Sequence, residues 1–280
     1  MSYFSIGVIS GLHPSPREAL QTVRDLGLDH IQLQYPAHLD SDAGIQEIQS
    51  AASEYSIDIT TVFCGFAGES YDDIPTVQKT VGLVPRATRA ERVRKIDDIS
   101  RFAQKLNVNR VAAHIGFIPE EDGKERDELT QIVQQICDNL AARGQVFALE
   151  TGQETASGLL HFIELVARPN LKVNFDPANM ILYGNDEPIA ATEKLFAHID
   201  GVHCKDGCWP TEEGKLGEER PWGEGDVDAR RWVETLLQLG YRGTFTIERE
   251  ISGEQQKRDI AQAREMLESW LRELSTQEGA

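Results

Sequence analysis

The sequence predicts an α/β fold, a single (β/α)8 TIM barrel. Three observations carry this. Eight short β-like runs alternate with eight amphipathic segments along the chain. The 280 residues suit a closed α/β barrel, which often runs to about 250 as one unit. The first turn, SGLHPSP (10–16), lacks the G-x-G-x-x-G of an open dinucleotide-binding sheet.

The predicted strands are FSIGVI (4–9), HIQLQ (30–34), IDITTVF (57–63), RVAAHI (110–115), VFALE (146–150), LKVNFD (171–176), IDGVHC (199–204) and TFTIE (244–248). Between them, 15–26, 42–55, 88–106, 125–142, 155–167, 187–197, 228–239 and 255–273 carry apolar residues three and four apart, the helical spacing. Leu26, Leu106 and Leu239 are each followed by Gly or Asn, the usual helix terminators. No linker or low-complexity stretch interrupts the pattern, so residues 1–274 read as one barrel domain and 275–280 as a frayed tail. Two connections, 64–87 and 205–227, are long. Both follow strands, which puts them on the carboxyl face where barrel sites are built.

Composition narrows the function. Lys plus Arg number 28 against 46 Asp plus Glu, a net charge of −18 that repels phosphate backbones and argues against nucleic acid. No apolar run reaches the roughly 18 residues a membrane helix needs. The opening MSYFSIG has no basic segment before an apolar one, so no signal peptide is expected. Cys64, Cys137, Cys204 and Cys208 lack disulfide or zinc-ribbon spacing, which fits a reduced, cytoplasmic compartment.

The chemistry lies at strand ends. In KVNFDPANM (172–180) a buried-type run ends at Asp176, and Pro177 stops the ladder. The fifth strand ends at Glu150, the seventh reaches His203 and the eighth ends at Glu248. One polar residue closing a strand is ordinarily a turn cap. Four neighbouring barrel strands each delivering a ligand-type residue to the same mouth point instead to a metal site. Without a cation, three packed carboxylates would repel. Three oxygens and one imidazole suit a hard-to-borderline divalent ion, Mn²⁺ first, with Mg²⁺, Co²⁺ and Zn²⁺ as alternatives. Such an ion would polarise a substrate carbonyl and acidify the adjacent C–H. Glu150 and Glu248, arriving from opposite sides, could then exchange a proton with that carbon through a metal-stabilised enediolate.

Around these residues the chain resembles the xylose isomerase-like barrel superfamily, most closely its bacterial sugar phosphate isomerase/epimerase members. The resemblance covers nearly the whole chain. It is carried by FALETGQETA (147–156), VNFDPANMILYG (173–184), GVHCKDG (201–207), WGEGDVD (222–228) and GTFTIEREISG (243–253), with GLVPRATRAER (82–92) and HIGFIPEE (114–121) upstream. It implies Glu150, Asp176, His203 and Glu248 as metal ligands, with Glu150 and Glu248 doubling as the acid/base pair. It also implies a sugar substrate, and dimers or tetramers formed through carboxyl-face loops.

His114 resembles a substrate-facing position, with a hydrogen-bonded buried histidine as the alternative. Lys205 is read as holding a substrate oxygen or phosphate, or else as pairing with Asp206. Asn179 stands where many relatives carry a histidine and would hydrogen-bond a hydroxyl. That substitution and the net charge weigh against the trinuclear zinc centre of the DNA-repair endonucleases of this fold. Trp209 and Trp222 either wall a sugar pocket or anchor their loop, and Tyr71 and Phe66 could belong to a lid. His13 is read as facing the mouth or as a rigid-turn residue, and Gln153 and Glu154 as groups orienting a ligand.

The expected function is a metal-dependent sugar isomerase or epimerase. The rivals are a metal-dependent lyase on a keto-inositol or keto-glycoside, which shares the first proton transfer, and a non-catalytic sugar-binding barrel.

Overall fold

The computed structural model describes residues 4–277. Eight parallel strands close a barrel: β1 (Ile6–Ser10), β2 (His30–Gln34), β3 (Asp58–Phe63), β4 (Arg110–Ala113), β5 (Val146–Glu150), β6 (Leu171–Phe175), β7 (Ile199–Cys204) and β10 (Phe245–Ile247). Around the ring they run β1-β10-β7-β6-β5-β4-β3-β2. The helices α1 (Pro16–Asp25), α2 (Asp42–Tyr55), α4 (Arg86–Lys105), α5 (Lys124–Ala141), α6 (Ala156–Val166), α8 (Pro188–Leu195), α9 (Ala229–Leu239) and α10 (Glu254–Gln277) follow the strands. The fold class is therefore the expected (β/α)8 barrel. Helix α10 runs to Gln277, three residues into the segment read as a frayed tail; 278–280 lie outside the described residues.

Local chemistry sets the helix starts. Ser15, Ser41 and Thr155 each accept a backbone N–H from the first turn of α1, α2 and α6. The main core lies between strands and helices. At its centre Trp232 of α9 stacks on Phe175 of β6, meets Trp222 edge-on and donates its Nε1–H to Thr192 at 2.8 Å.

Three elements escaped the sequence pattern because they sit inside carboxyl-face connections: α3 (Ile74–Thr80), α7 (Pro177–Leu182) and the hairpin β8 (Asp206–Cys208)–β9 (Glu218–Arg220). Asp206 ties the hairpin connection down, accepting the N–H groups of Gly207, Gly223 and Val227. The 64–87 connection is pinned to the end of β4. Leu83 donates its N–H to Ile115 O at 2.8 Å, and at Gly82 (φ +73°) a Cβ would meet Ile115 C at 2.0 Å.

The barrel interior is only partly apolar. Ile9, Phe63, Ala112 and Ala148 form a small apolar cluster. Near the amino-terminal end Arg110 of β4 reaches Asp200 of β7 at 2.6 Å. Gln32 of β2, Asn174 of β6 and Thr246 of β10 meet by hydrogen bonds across non-neighbouring strands, so they lie inside the ring.

Candidate metal centre

Glu150, Asp176, His203 and Glu248 each offer one ligand atom, and these four atoms lie within 4.8 Å of one another. Alternation along the strands puts them there. Glu150, Asp176, His203 and Glu248 each stand two residues beyond Ala148, Asn174, Gly201 and Thr246, so each pair shares a face. His203 is fully buried, with Nδ1 3.0 Å from Glu150 Oε1, 2.9 Å from Glu248 Oε2 and 3.6 Å from Asp176 Oδ2.

One N–H cannot serve three carboxylates. Asp176 Oδ2 and Glu248 Oε2 are buried without a hydrogen bond, the 2.9 Å approach to Glu248 being too oblique for one. Buried oxygens left in this way are costly unless something else satisfies them. Three carboxylate oxygens and one imidazole nitrogen around a single point fit a divalent cation. Burial alone would lower the His203 pKa, but Glu248 and Glu150 outweigh it and raise it well above the ordinary range. A cation at Nδ1 would take the place of that proton.

Asp176 also caps α7. Its Oδ1 accepts the Asn179 N–H at 3.0 Å, while its own backbone N–H reaches Thr151 Oγ1 at 2.8 Å. The cap and ligand readings of this residue are thus divided between its two oxygens.

Two further basic side chains border the cluster. Lys205 is 2% exposed, with Nζ 3.5 Å from Glu248 Oε2, 3.7 Å from Asp176 Oδ2 and 3.2 Å from Glu250 Oε2. It does not pair with Asp206, whose carboxylate holds the hairpin connection. Burial disfavours the ammonium, yet Glu248, Glu250 and Asp176 raise its pKa well above the ordinary value. His114 Nε2 lies 2.8 Å from Glu150 Oε2. Burial would lower its pKa, but the Glu150 carboxylate lifts it to about 9. Burial would raise the Glu150 pKa, and the two imidazoles reverse that, holding it below the usual carboxylate range.

The other anticipated residues divide. The Asn179 amide is committed within the protein: Nδ2 donates to Glu150 Oε1 and Thr151 O, and Oδ1 accepts from Lys205 Nζ at 3.2 Å. It is a strut between two site residues rather than a free partner for a hydroxyl. Trp222 is buried against Trp232 and Trp270 and anchors its loop. Trp209 is 40% exposed, and among the described residues no hydrogen bond or ring contact ties its side chain to the cluster. Tyr71 packs against the His114 ring at 5.9 Å, whereas Phe66 lies under Arg92. His13 stacks on His38 and lines a cavity of about 640 Å³ that also touches Glu248. Gln153 bridges Tyr183 Oη and His114 Nδ1, at 3.1 and 3.4 Å. Glu154 is buried, and burial pushes its pKa up to about 7 against the backbone N–H of Ile118.

Sequence reasoning missed the residues beneath the cluster. His203 Nε2 lies 2.9 Å from Gln32 Oε1 and 3.0 Å from Asn174 Nδ2. The signal was present, because strands covered on both faces in a parallel barrel are normally apolar throughout and HIQLQ is not. Glu250, the Lys205 partner, gave no comparable signal.

Similarity to known proteins agrees with this architecture. The chain is 41% identical to a xylose isomerase domain protein from Planctomyces limnophilus of known structure, with a TM-score of 0.94 over 98% of this chain and 99% of that one. It is 30% identical to the uncharacterized protein YihM of Escherichia coli K12 over 55% of this chain, and the match spans about half, 47%, of that protein. It is 25% identical to the L-ribulose-5-phosphate 3-epimerase UlaE of Shigella sonnei over 71% of each chain. The model of the xylose isomerase-like TIM barrel family matches residues 20–274, and the chain belongs to that family.

Proposed function

We propose that this protein is a divalent-metal-dependent isomerase or epimerase of a keto-sugar, moving a proton at the carbon beside the carbonyl. The observation that carries the reading is the convergence of three carboxylate oxygens and His203 Nδ1 within 4.8 Å, with two of the oxygens buried without a hydrogen bond. The similarity to a sugar 3-epimerase supports the substrate class. A divalent ion held by these four residues would polarise the carbonyl and make the adjacent C–H acidic.

The rest falls to the side chains. Glu150 and Glu248 sit on β5 and at the end of β10, the outer pair of the four neighbouring strands, and so approach from opposite sides. One carboxylate takes the proton from carbon while the C–H electron pair moves toward the carbonyl oxygen. The other returns a proton to the opposite face, inverting the centre. His114, 2.8 Å from Oε2, holds Glu150 ionised and so favours it as the starting base. Lys205, beside Glu248, is the residue we assign to hold a substrate oxygen. A cavity of about 640 Å³ borders the cluster on the Glu248 side.

The test is solvent-deuterium exchange with Mn²⁺ on a panel of ketoses, their phosphates, keto-glycosides and keto-inositols, read by NMR. Deuterium should enter at one carbon next to the carbonyl, and Glu248→Gln should slow that entry by about 10²–10⁴-fold. An inverted product marks an epimerase, an isomeric aldose an isomerase, and an unsaturated product the lyase. Exchange that survives Glu248→Gln undiminished would remove the acid/base assignment.

A further inference from the structure

We propose that Gln32 is a positioning residue for the metal centre: its amide oxygen keeps the proton of His203 on Nε2 and so presents the Nδ1 lone pair to the cation. The proposal rests on the reading of the four-residue cluster as a cation site.

Gln32 is 1% exposed on β2, three strands away from β7 around the ring, and reaches across the barrel interior. Its Oε1 lies 2.9 Å from His203 Nε2, while its Nε2 donates to Asn174 Oδ1 at 3.0 Å and Thr246 Oγ1 at 3.3 Å. All three groups of its amide are thus engaged. A neutral imidazole carries one proton. If Nδ1 donates its lone pair to a cation, that proton must sit on Nε2, where it needs a buried acceptor. Two groups face Nε2: Asn174 Nδ2 at 3.0 Å is an N–H donor and cannot take that proton, so Gln32 Oε1 at 2.9 Å is the acceptor, and its hydrogen bonds to β6 and β10 fix where it points.

The backbone makes room for this arrangement. Gly201 pairs in register with Asn174 and precedes His203 by two residues. A Cβ at position 201 would lie 2.5 Å from Asn174 Oδ1 and 3.6 Å from Gln32 Nε2. Any larger residue there would push the amide pair away from the imidazole. This explains a glycine in the middle of a buried strand, where it otherwise weakens the ladder.

The experiment compares Mn²⁺ affinity, by titration calorimetry, of the wild-type chain, Gln32→Met and Gln32→Glu. Circular dichroism checks that each folds. Nitrogen-15 NMR of the Mg²⁺-loaded wild type reads the His203 tautomer. Gln32→Met should bind Mn²⁺ about 10–100-fold more weakly, the usual effect of losing a group that orients a metal-bound histidine. Gln32→Glu keeps an acceptor and should hold most of the affinity. The wild type should show a protonated Nε2 with a slowly exchanging N–H. Unchanged affinity in a folded Gln32→Met chain, or a protonated Nδ1 in the loaded wild type, would overturn the proposal while leaving the cation site standing. If Gln32→Met does not fold, the wild-type tautomer and Gln32→Glu decide. A wild type that binds no Mn²⁺ removes the cation reading and this proposal with it.

Discussion

Glu154 differs from the four clustered residues in needing no ion to explain it. It is buried, its Oε1 has no hydrogen bond, and burial raises its pKa from an ordinary 4.5 to about 7. The folded chain therefore holds this proton more tightly than the unfolded chain. Its contribution to stability is complete below about pH 4.5 and is lost as pH rises through 7, an effect of about 3 kcal/mol. Glu154→Gln removes the titration. Urea unfolding should find the variant close to wild type at pH 4.5 and more stable by up to about 3 kcal/mol at pH 8. Equal midpoints at pH 8 would mean that Glu154 meets water or a partner at its Oε1. The four cluster residues were legible in sequence because each stands at or next to the carboxyl end of a buried-type strand. Glu154 and Gln153, on the following loop, have no periodicity to betray a role, and their partners His114, Ile118 and Tyr183 lie just beyond β4 and α7.

At the scale of elements, backbone fit adds to apolar packing in holding the carboxyl-face connections: Val77 and Val81 of 64–87 cluster with Tyr183, and Trp222 packs on Trp232. The 64–87 connection packs Gly82 directly against the backbone at Ile115, and Glu69 Oε1 accepts the Gly82 N–H at 2.7 Å. Gly82→Ala combines left-handed strain of about 1–2 kcal/mol with a backbone clash. It should lower the thermal midpoint and expose the 64–87 connection to limited proteolysis, freeing Tyr71 from His114. A protease pattern identical to wild type would show that this connection is not fixed at Gly82. Strand positions were legible to within about two residues, since short β-like runs alternate with segments of helical spacing along the whole chain. The short α3 and α7 carried a start signal in Asp73 and Asp176, with Pro75 and Pro177 in the first turn. Six or seven residues are too few for a 3.6-residue period to show. The β8–β9 hairpin depends on Asp206 gathering the distant N–H groups of Gly223 and Val227 as well as that of Gly207, which no local pattern encodes.

The whole molecule carries a net charge of −18 and concentrates three carboxylates in one buried cluster at the barrel mouth. No helix among the described residues is long and apolar enough to cross a membrane. In such a chain a bound divalent ion would contribute to folding as well as to the proposed chemistry. At 100 times its dissociation constant it adds about 2.7 kcal/mol, or roughly 5–10 °C in midpoint. The most direct test is a titration of Mn²⁺ into chelator-stripped wild type and Asp176→Asn, by calorimetry with a thermal scan of each. Asparagine still caps α7 through its side-chain oxygen, so the fold should persist. One ion should bind per wild-type chain and raise the midpoint by roughly 5–10 °C, and binding should be about 100-fold weaker or worse in Asp176→Asn. A wild type that takes up no ion, or an Asp176→Asn chain that binds it equally well, would contradict the assignment of this cluster as a metal centre.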